Sequence, residues 1–427
     1  MHLAAATPRI VEALDDPRLL SCAHFDELID DLLPRCDNWN VLAAEIVYRG
    51  WLTPFQMSAV LDGRGAELIL GSYVLLELLG EGGMGRIYRA RNWKLDTPAA
   101  VKVIRAERAG DPASTERFLR EVRALGAIRH PHMVHALDAD IEGGRLYCAM
   151  EYVSGMDLGR LLAARGALPI ETACRYAAQL AGALRHISLL GLVHRDVKPS
   201  NVLITEDGSK VKLLDLGLAR FDHPDWHSSR AELTQLGMMI GTPDYVSPEQ
   251  IRDSHGADIR SDLYSLGCTL YHMLSGRPPF DGMAAVDKLW HHQTADPVAV
   301  EQLRPDVPAP VAQVVRTLLA KKARDRYQDP GEVVAALRPF LIQGQDTMTD
   351  GSANTVPGRP VVMPAIALPR TEEIPLANLG LLAEEVPQAV AAPATWTSWG
   401  ADWLNRLHWL IAALIAGVAM GFVIGRG

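Results

Sequence analysis

The spacing of apolar positions divides this 427-residue chain into stretches of different character. Up to about residue 70, short helix-like runs appear at Phe25 to Leu33 and at Val41 to Val47, with a break at Gly50. A further helix is predicted to start near Thr53-Pro54, where threonine can cap and proline can take the first helical position. This leader (1–70) is short for a core of its own. From Tyr73 to about Leu341 the periodicity is continuous. Tyr73 to Leu79, Ile87 to Arg91, Ala99 to Ile104 and Leu146 to Glu151 read as strands. Ile170 to Leu190 and Ser261 to Leu274 read as helices. A β-rich start and an α-rich remainder predict an α+β domain over 73–341, with two lobes and a cleft between them.

Beyond Leu341 the pattern fades. Pro357, Pro360, Pro364, Pro369, Pro375, Pro387 and Pro393 punctuate an Ala- and Thr-containing stretch, which predicts an extended, disordered linker over 342–402. From Leu407 to Gly425 the chain is apolar except for His408, and the run approaches the ~20 residues of a membrane-spanning helix. Trp403 and Trp409 stand at one edge, where indoles favour the interface. A buried soluble helix would need a domain to pack into, and the preceding linker leaves none. Ala413, Gly417, Gly421 and Gly425 line one helical face with small residues. Such a face permits a homodimer through close helix approach, and it equally suits packing without dimerisation.

Composition narrows the partners. The formal net charge of −9 gives no electrostatic case for nucleic acid. Arg117, Arg120 and Arg123 read as a solvated helix face. The five cysteines (Cys22, Cys36, Cys148, Cys174 and Cys268) are scattered without a CxxC pair, which fits reduced thiols better than disulfides or zinc. The start of the chain has no basic region followed by an apolar core, so no signal peptide is expected.

Between the first two strands of the domain lies Gly80-Glu81-Gly82-Gly83-Met84-Gly85, and Lys102 follows in the third. Glycines at this spacing let a backbone close over phosphate oxygens, because no Cβ blocks the approach. Alone the run reads equally well as a tight hairpin. A dinucleotide fold would need a helix after the glycines, and Ile87 to Arg91 reads as strand. Downstream come His194-Arg195-Asp196-Val197-Lys198-Pro199-Ser200-Asn201, then Asp215-Leu216-Gly217, then Ser247-Pro248-Glu249.

Together, in this order and spacing, these motifs resemble those of the eukaryotic-like (Hanks-type) bacterial serine/threonine protein kinases over about residues 73 to 341. The resemblance implies ATP and Mg2+ as cofactors and proteins as substrates. It implies a nucleotide site of Leu79, Gly80, Glu81, Gly82, Gly83, Met84, Gly85, Arg86 and Ile87, with Lys102 on the phosphates. Glu121 is the carboxylate expected to hold Lys102. It shares a helical face with Phe118, Val122 and Leu125, and Glu116 is a rival. Asp196 would accept or orient the proton of the substrate hydroxyl, and Lys198 would steady the transferring phosphate. Asn201 and Asp215 would supply hard oxygens to the metal. By resemblance, the backbone of Glu151 and Val153 would bond adenine, with Met150 at the back and Asp157 near the ribose. Glu249 would pair with Arg326, and Asp262 would bond the backbone at His194-Arg195. Leu216 departs from the family, which usually has phenylalanine there.

The segment between Asp215 and Glu249 holds Ser228, Ser229, Thr234 and Thr242. Thr234 is the expected autophosphorylation site, Arg195 its phosphate partner, and Thr242 a contact for Asp196 and Lys198. Arg406 and Arg426 flank the predicted span almost evenly, so orientation rests on the need for ATP, which places the kinase in the cytoplasm. The expected protein is a single-pass membrane kinase. A pseudokinase scaffold is disfavoured by the presence of Lys102, Asp196, Asn201 and Asp215, and a small-molecule kinase by Ser247-Pro248-Glu249 and the long loop before it. The leader phrase Gly50-Trp51-Leu52-Thr53-Pro54-Phe55-Gln56 and the run Gly82-Gly83-Met84-Gly85 resemble planctomycete kinases.

Overall fold

A computed structural model describes residues 10–36, 38–82, 85–104, 119, 122, 126, 128–214, 243–253 and 256–341. The leader is helical, as its patterning predicts. Helix α1 (Cys22–Glu27) is capped by Ser21 and runs through a π-helical turn (Leu28–Leu32) into Leu33–Arg35. Helix α2 (Trp39–Tyr48) is capped by Asn38, whose Oδ1 accepts from the Asn40 and Val41 amides. Gly50 then takes φ +71° and turns the chain. Helix α3 (Pro54–Leu61) starts where the sequence places it. Thr53 and Gln56 cap each other reciprocally there, and Pro54 occupies the first turn.

A six-stranded antiparallel sheet follows, in the order β1-β2-β3-β4-β6-β5. Its strands are β1 (Ile69–Leu70), β2 (Tyr73–Gly82), β3 (Gly85–Asn92), β4 (Thr97–Ile104), β5 (Ala136–Glu142) and β6 (Arg145–Glu151). Only Ala139 of β5 is buried, so that strand carries no apolar alternation and its sequence does not announce it. Strand β1 belongs to the leader and pairs with β2 through Ile69↔Val74 and Leu70↔Tyr73.

The leader has no core of its own. Leu14, Leu42, Ile46, Met57 and Val60 join one buried cluster with Tyr73, Tyr88, Ala90, Ala99, Val101, Tyr147 and Ala149 of the sheet. Burying each large aliphatic side chain contributes roughly 1.5–3 kcal/mol, so the shared cluster is a major term in lobe stability. Leu146 and Cys148 alternate with Tyr147 and Ala149 along β6 and join Val122 and Ala139 in a separate cluster. The sheet is thus buried on both faces, one of them by the leader.

The second lobe is helical. It comprises β7 (Gly155–Asp157), α4 (Leu158–Arg165), α5 (Ile170–Leu189), β8 (Val202–Thr205), β9 (Val211–Leu213), α6 (Pro248–Arg252), α7 (Ile259–Ser275), α8 (Ala285–Thr294), α9 (Val300–Leu303), α10 (Ala309–Leu318) and α11 (Pro330–Leu337). Leu180, Leu184 and Ile187 of α5 and Leu263, Leu266 and Leu270 of α7 are fully buried in one core with Val311, Val315 and Leu337. The small sheet β7-β8-β9 lies beside it and carries the loop that follows α5.

The predicted linker (342–402) and span (407–425) lie outside the described residues. Among the described residues, no helix is long and apolar enough to cross a membrane.

Candidate active site

The segment after α5 is held by its own backbone and by one buried carboxylate. Asp262 has no exposed surface, and it accepts from the amides of His194 at 2.7 Å and Arg195 at 2.6 Å. Burial pushes its carboxyl up to about 6, against the lowering pull of His194, of these amides and of the Arg195 charge. Arg195 takes φ +69°, a left-handed conformation that costs a side-chain-bearing residue energy. Three bonds fix this turn: the His194 and Arg195 amides donate to Asp262, and Gln250 Nε2 donates to the Arg195 carbonyl at 2.8 Å. His194 accepts from the Asp196 amide at Nδ1, 3.3 Å, and its Nε2 lies 2.7 Å from the Leu214 carbonyl. The pair of bonds fixes the Nε2–H tautomer.

This frame presents Asp196. Its Oδ2 lies 2.8 Å from Asn201 Nδ2 and 2.8 Å from Lys198 Nζ. Asn201 Nδ2 also donates to the Asp196 carbonyl at 2.9 Å. The Asp196 and Lys198 side chains keep 35% and 21% of their surface exposed, enough to meet a substrate from the cleft. Because Asn201 commits its nitrogen to Asp196, its Oδ1 remains as the hard oxygen donor, which fits a magnesium ligand. Its expected companion, Asp215, lies outside the described residues. Among the described residues no group of three or more His, Cys, Asp or Glu side chains is arranged to hold a metal ion.

The opposing lobe supplies the glycine hairpin and Lys102. Leu79, Gly80, Glu81 and Gly82 end β2, and Gly85, Arg86 and Ile87 begin β3. Gly83 and Met84, at the tip, lie outside the described residues. Gly82 pairs with Gly85, and Glu81 lies opposite Arg86 with a 3.2 Å ion pair. The glycines divide their roles. A Cβ on Gly80 or Gly82 would meet open space, so those positions keep the approach clear. Gly85 takes φ +154°, and a Cβ there would lie 2.0 Å from the Val103 carbonyl, so it serves the close passage of β3 against β4. Lys102 stands on β4 between Ile87 of β3 and Cys148 of β6 and is 4% exposed. Glu121 and its rival Glu116 lie outside the described residues, as do Leu216, Ser228, Ser229, Thr234 and Thr242.

At the join of the lobes, Met150 is buried opposite Ala100. The Glu151 amide donates to His135 O at 2.9 Å, and its carboxylate pairs with Lys212 Nζ at 2.8 Å. The base contact expected of Glu151 therefore falls to its carbonyl oxygen. Val153 follows, half-buried. Asp157, expected near a ribose, caps α4 by accepting from the Arg160 amide at 2.9 Å.

The scaffold pair Glu249–Arg326 forms as expected, bidentate at 2.6 and 2.9 Å, with the arginine side chain wholly buried. Burial pushes the Glu249 carboxyl up, but Arg326 and the Ser261 hydroxyl outweigh it and hold the group below its usual range. The sequence reading missed Gln250, Lys212 and Ser261. Gln250 carried a signal, since Ser247-Pro248-Glu249-Gln250 is the pattern of a capping box, and both its bonds form.

Known proteins resemble this chain in sequence and fold. Residues 73–335 fit the protein kinase domain family. The serine/threonine-protein kinase PknB of Mycobacterium tuberculosis is 39% identical over 269 residues, 62% of this chain and 42% of the relative. The serine/threonine-protein kinase pkn2 of Myxococcus xanthus is 38% identical over 284 residues, 66% of this chain and 33% of the relative. The chain thus spans less than half the length of these relatives. The crystal structure of the Mycobacterium tuberculosis PknI kinase domain is similar at TM-score 0.50 and 28% identity, covering 64% of this chain and 97% of that one. Rad53 in complex with AMP-PNP is similar at TM-score 0.51 and 26% identity, covering 64% of this chain and 66% of that one. The chain belongs to the protein kinase family, and residues 73–335 form a kinase domain of the bacterial Hanks type, similar to serine/threonine kinases.

Proposed function

We propose that this chain transfers the γ-phosphoryl group of ATP to serine and threonine hydroxyls of proteins. The observation that carries the reading is the Asp196 carboxylate, gripped between Asn201 Nδ2 and Lys198 Nζ at 2.8 Å each and open to the cleft. In that position Asp196 orients the attacking hydroxyl and accepts its proton, while Lys198 offsets charge on the transferring group. The glycine hairpin covers the phosphates with backbone amides, and Lys102 positions them, with Glu121 as the carboxylate that would hold it. Glu151 and Val153 would receive the base through their backbone, with Leu79 part of the nucleotide site. Asn201 and Asp215 would hold Mg2+, which would supply charge neutralisation on the phosphates. The AMP-PNP complex of Rad53 supports a nucleotide in this cleft.

The wider organisation belongs to the same proposal. The leader (1–70) and kinase domain (73–341) are followed by a linker (342–402) and a single membrane helix (407–425), which tethers the kinase on the cytoplasmic side for signalling. Autophosphorylation falls on Thr234, and the small-residue face suits either a homodimer or packing without dimerisation. The phrases Gly50 to Gln56 and Gly82 to Gly85 support a planctomycete-like lineage. The test is phosphate transfer with magnesium ATP by wild type and Asp196→Asn. The expected loss in the variant is at least about a hundredfold, the low end of what a positioned general base contributes. Equal incorporation would overturn the mechanism. Release of the full chain from membranes by alkaline carbonate would overturn the tether.

A further inference from the structure

Strand β2 is not a regular strand. Its pairing with β3 shifts register between Leu75 and Glu77, and again between Leu78 and Gly80. The first shift is a bulge at Leu76, and the second lies immediately before the glycine run. A bulge interrupts the ladder and bends the strand, so the carbonyls around it need other partners. Both partners come from the leader. Thr53 Oγ1 donates to the Leu76 carbonyl at 2.5 Å, and Gln56 Nε2 donates to the Leu75 carbonyl at 2.9 Å.

The two side chains also lock each other. Gln56 Oε1 accepts from the Thr53 amide at 2.9 Å, and Thr53 Oγ1 accepts from the Gln56 amide at 3.2 Å. Gln56 is 3% exposed, an unusual site for an amide side chain, and these bonds satisfy it. Between them stands Phe55, whose ring lies 5.6 Å from that of Tyr88 on β3. One corner of the leader therefore touches both strands of the glycine hairpin. A cavity of about 550 Å³ opens beside this corner, lined by Phe55, Leu75 and Tyr88 and by the hairpin residues Glu81 and Arg86.

We infer that Thr53, Phe55 and Gln56 are positioning residues for the phosphate-covering hairpin: they set the bend of β2 and through it the placement of the glycine run. The inference rests on the kinase reading above and assigns the leader a part in nucleotide binding.

The experiment uses the full chain, with Thr53→Val and Gln56→Met, which keep side-chain size and remove the bonds, and Thr53→Ser, which restores a hydroxyl. KM for ATP and kcat are measured separately, and folded fraction is read by thermal melting. Thr53→Val and Gln56→Met are expected to raise KM for ATP about three- to tenfold, the scale of one lost hydrogen bond, with kcat nearly unchanged. Thr53→Ser should return KM to the wild-type value. Unchanged KM in both bond-deleting variants overturns the inference. A loss of rate that only tracks the lost folded fraction overturns it too. Asp196→Asn is run alongside: wild-type transfer that Asp196→Asn does not abolish would count against the kinase reading, whatever the leader variants do.

Discussion

Arg326 has no side-chain surface exposed, and Glu249 answers its guanidinium through two bonds while Ser261 braces the carboxylate. Arg326→Ala strands that carboxylate, and breaking such a pair costs about 3–5 kcal/mol. Chemical denaturation should show a loss of this size, with the midpoint reduced and the slope retained. Histidines set the response to acid. Burial, aided by Lys321, lowers His292 to about 3, and burial with neighbouring histidines lowers His130 to about 4, from 6.5. Below pH 6.5 the unfolded chain binds these protons first, so stability falls as pH drops from 6.5 toward 4. Asp262 opposes this. Its folded value of about 6 exceeds 3.8, so its burial penalty fades as pH falls through that interval. Burial lowers His132 and His272 as well, so four histidines stand against one aspartate; melting temperature should fall on acidification, and His292→Gln should flatten the dependence. A melting temperature that rises on acidification would show that Asp262 dominates.

Secondary elements were legible where a run of buried positions marks them in the sequence. The helix at α5 and the strands β2, β3, β4 and β6 stand close to the apolar runs that predicted them. Strand β5, with a single buried residue, had no pattern to read, and β1 is too short to have one. The bulges of β2 were hidden for a related reason, since a shifted register shows only against the partner strand. The glycine hairpin yields a test at this scale. Gly85→Ala must push β3 away from the Val103 carbonyl, so it should lower the melting temperature. Gly80→Ala meets nothing and should leave melting unchanged. Equal melting in the two variants would mean that β3 yields easily.

Across the whole molecule, the residues expected to carry the chemistry sit in local motifs, and of these the fold brings Asp196, Lys198 and Asn201 together. The placement of the leader was not legible in the sequence. Its partners on the sheet, such as Tyr88, Val101 and Tyr147, look like ordinary strand residues, and only the fold shows what covers them. Lys212 likewise meets Glu151 from a distant strand. Leu42, fully buried in α2, offers the test. Leu42→Ala should cost about 2–5 kcal/mol and melt leader and sheet together in one transition. Two separated transitions would show that the leader folds alone.

The shared core also bears on inheritance. The family match starts at Tyr73, yet Tyr73 is paired to Leu70 across the turn between β1 and β2. A recombination event that moved residues 73–335 alone would leave Val101, Tyr147 and Ala149 facing water. In chains that carry this leader, substitutions that enlarge a leader position should therefore be matched by smaller residues on the sheet, and the two segments should share one ancestry.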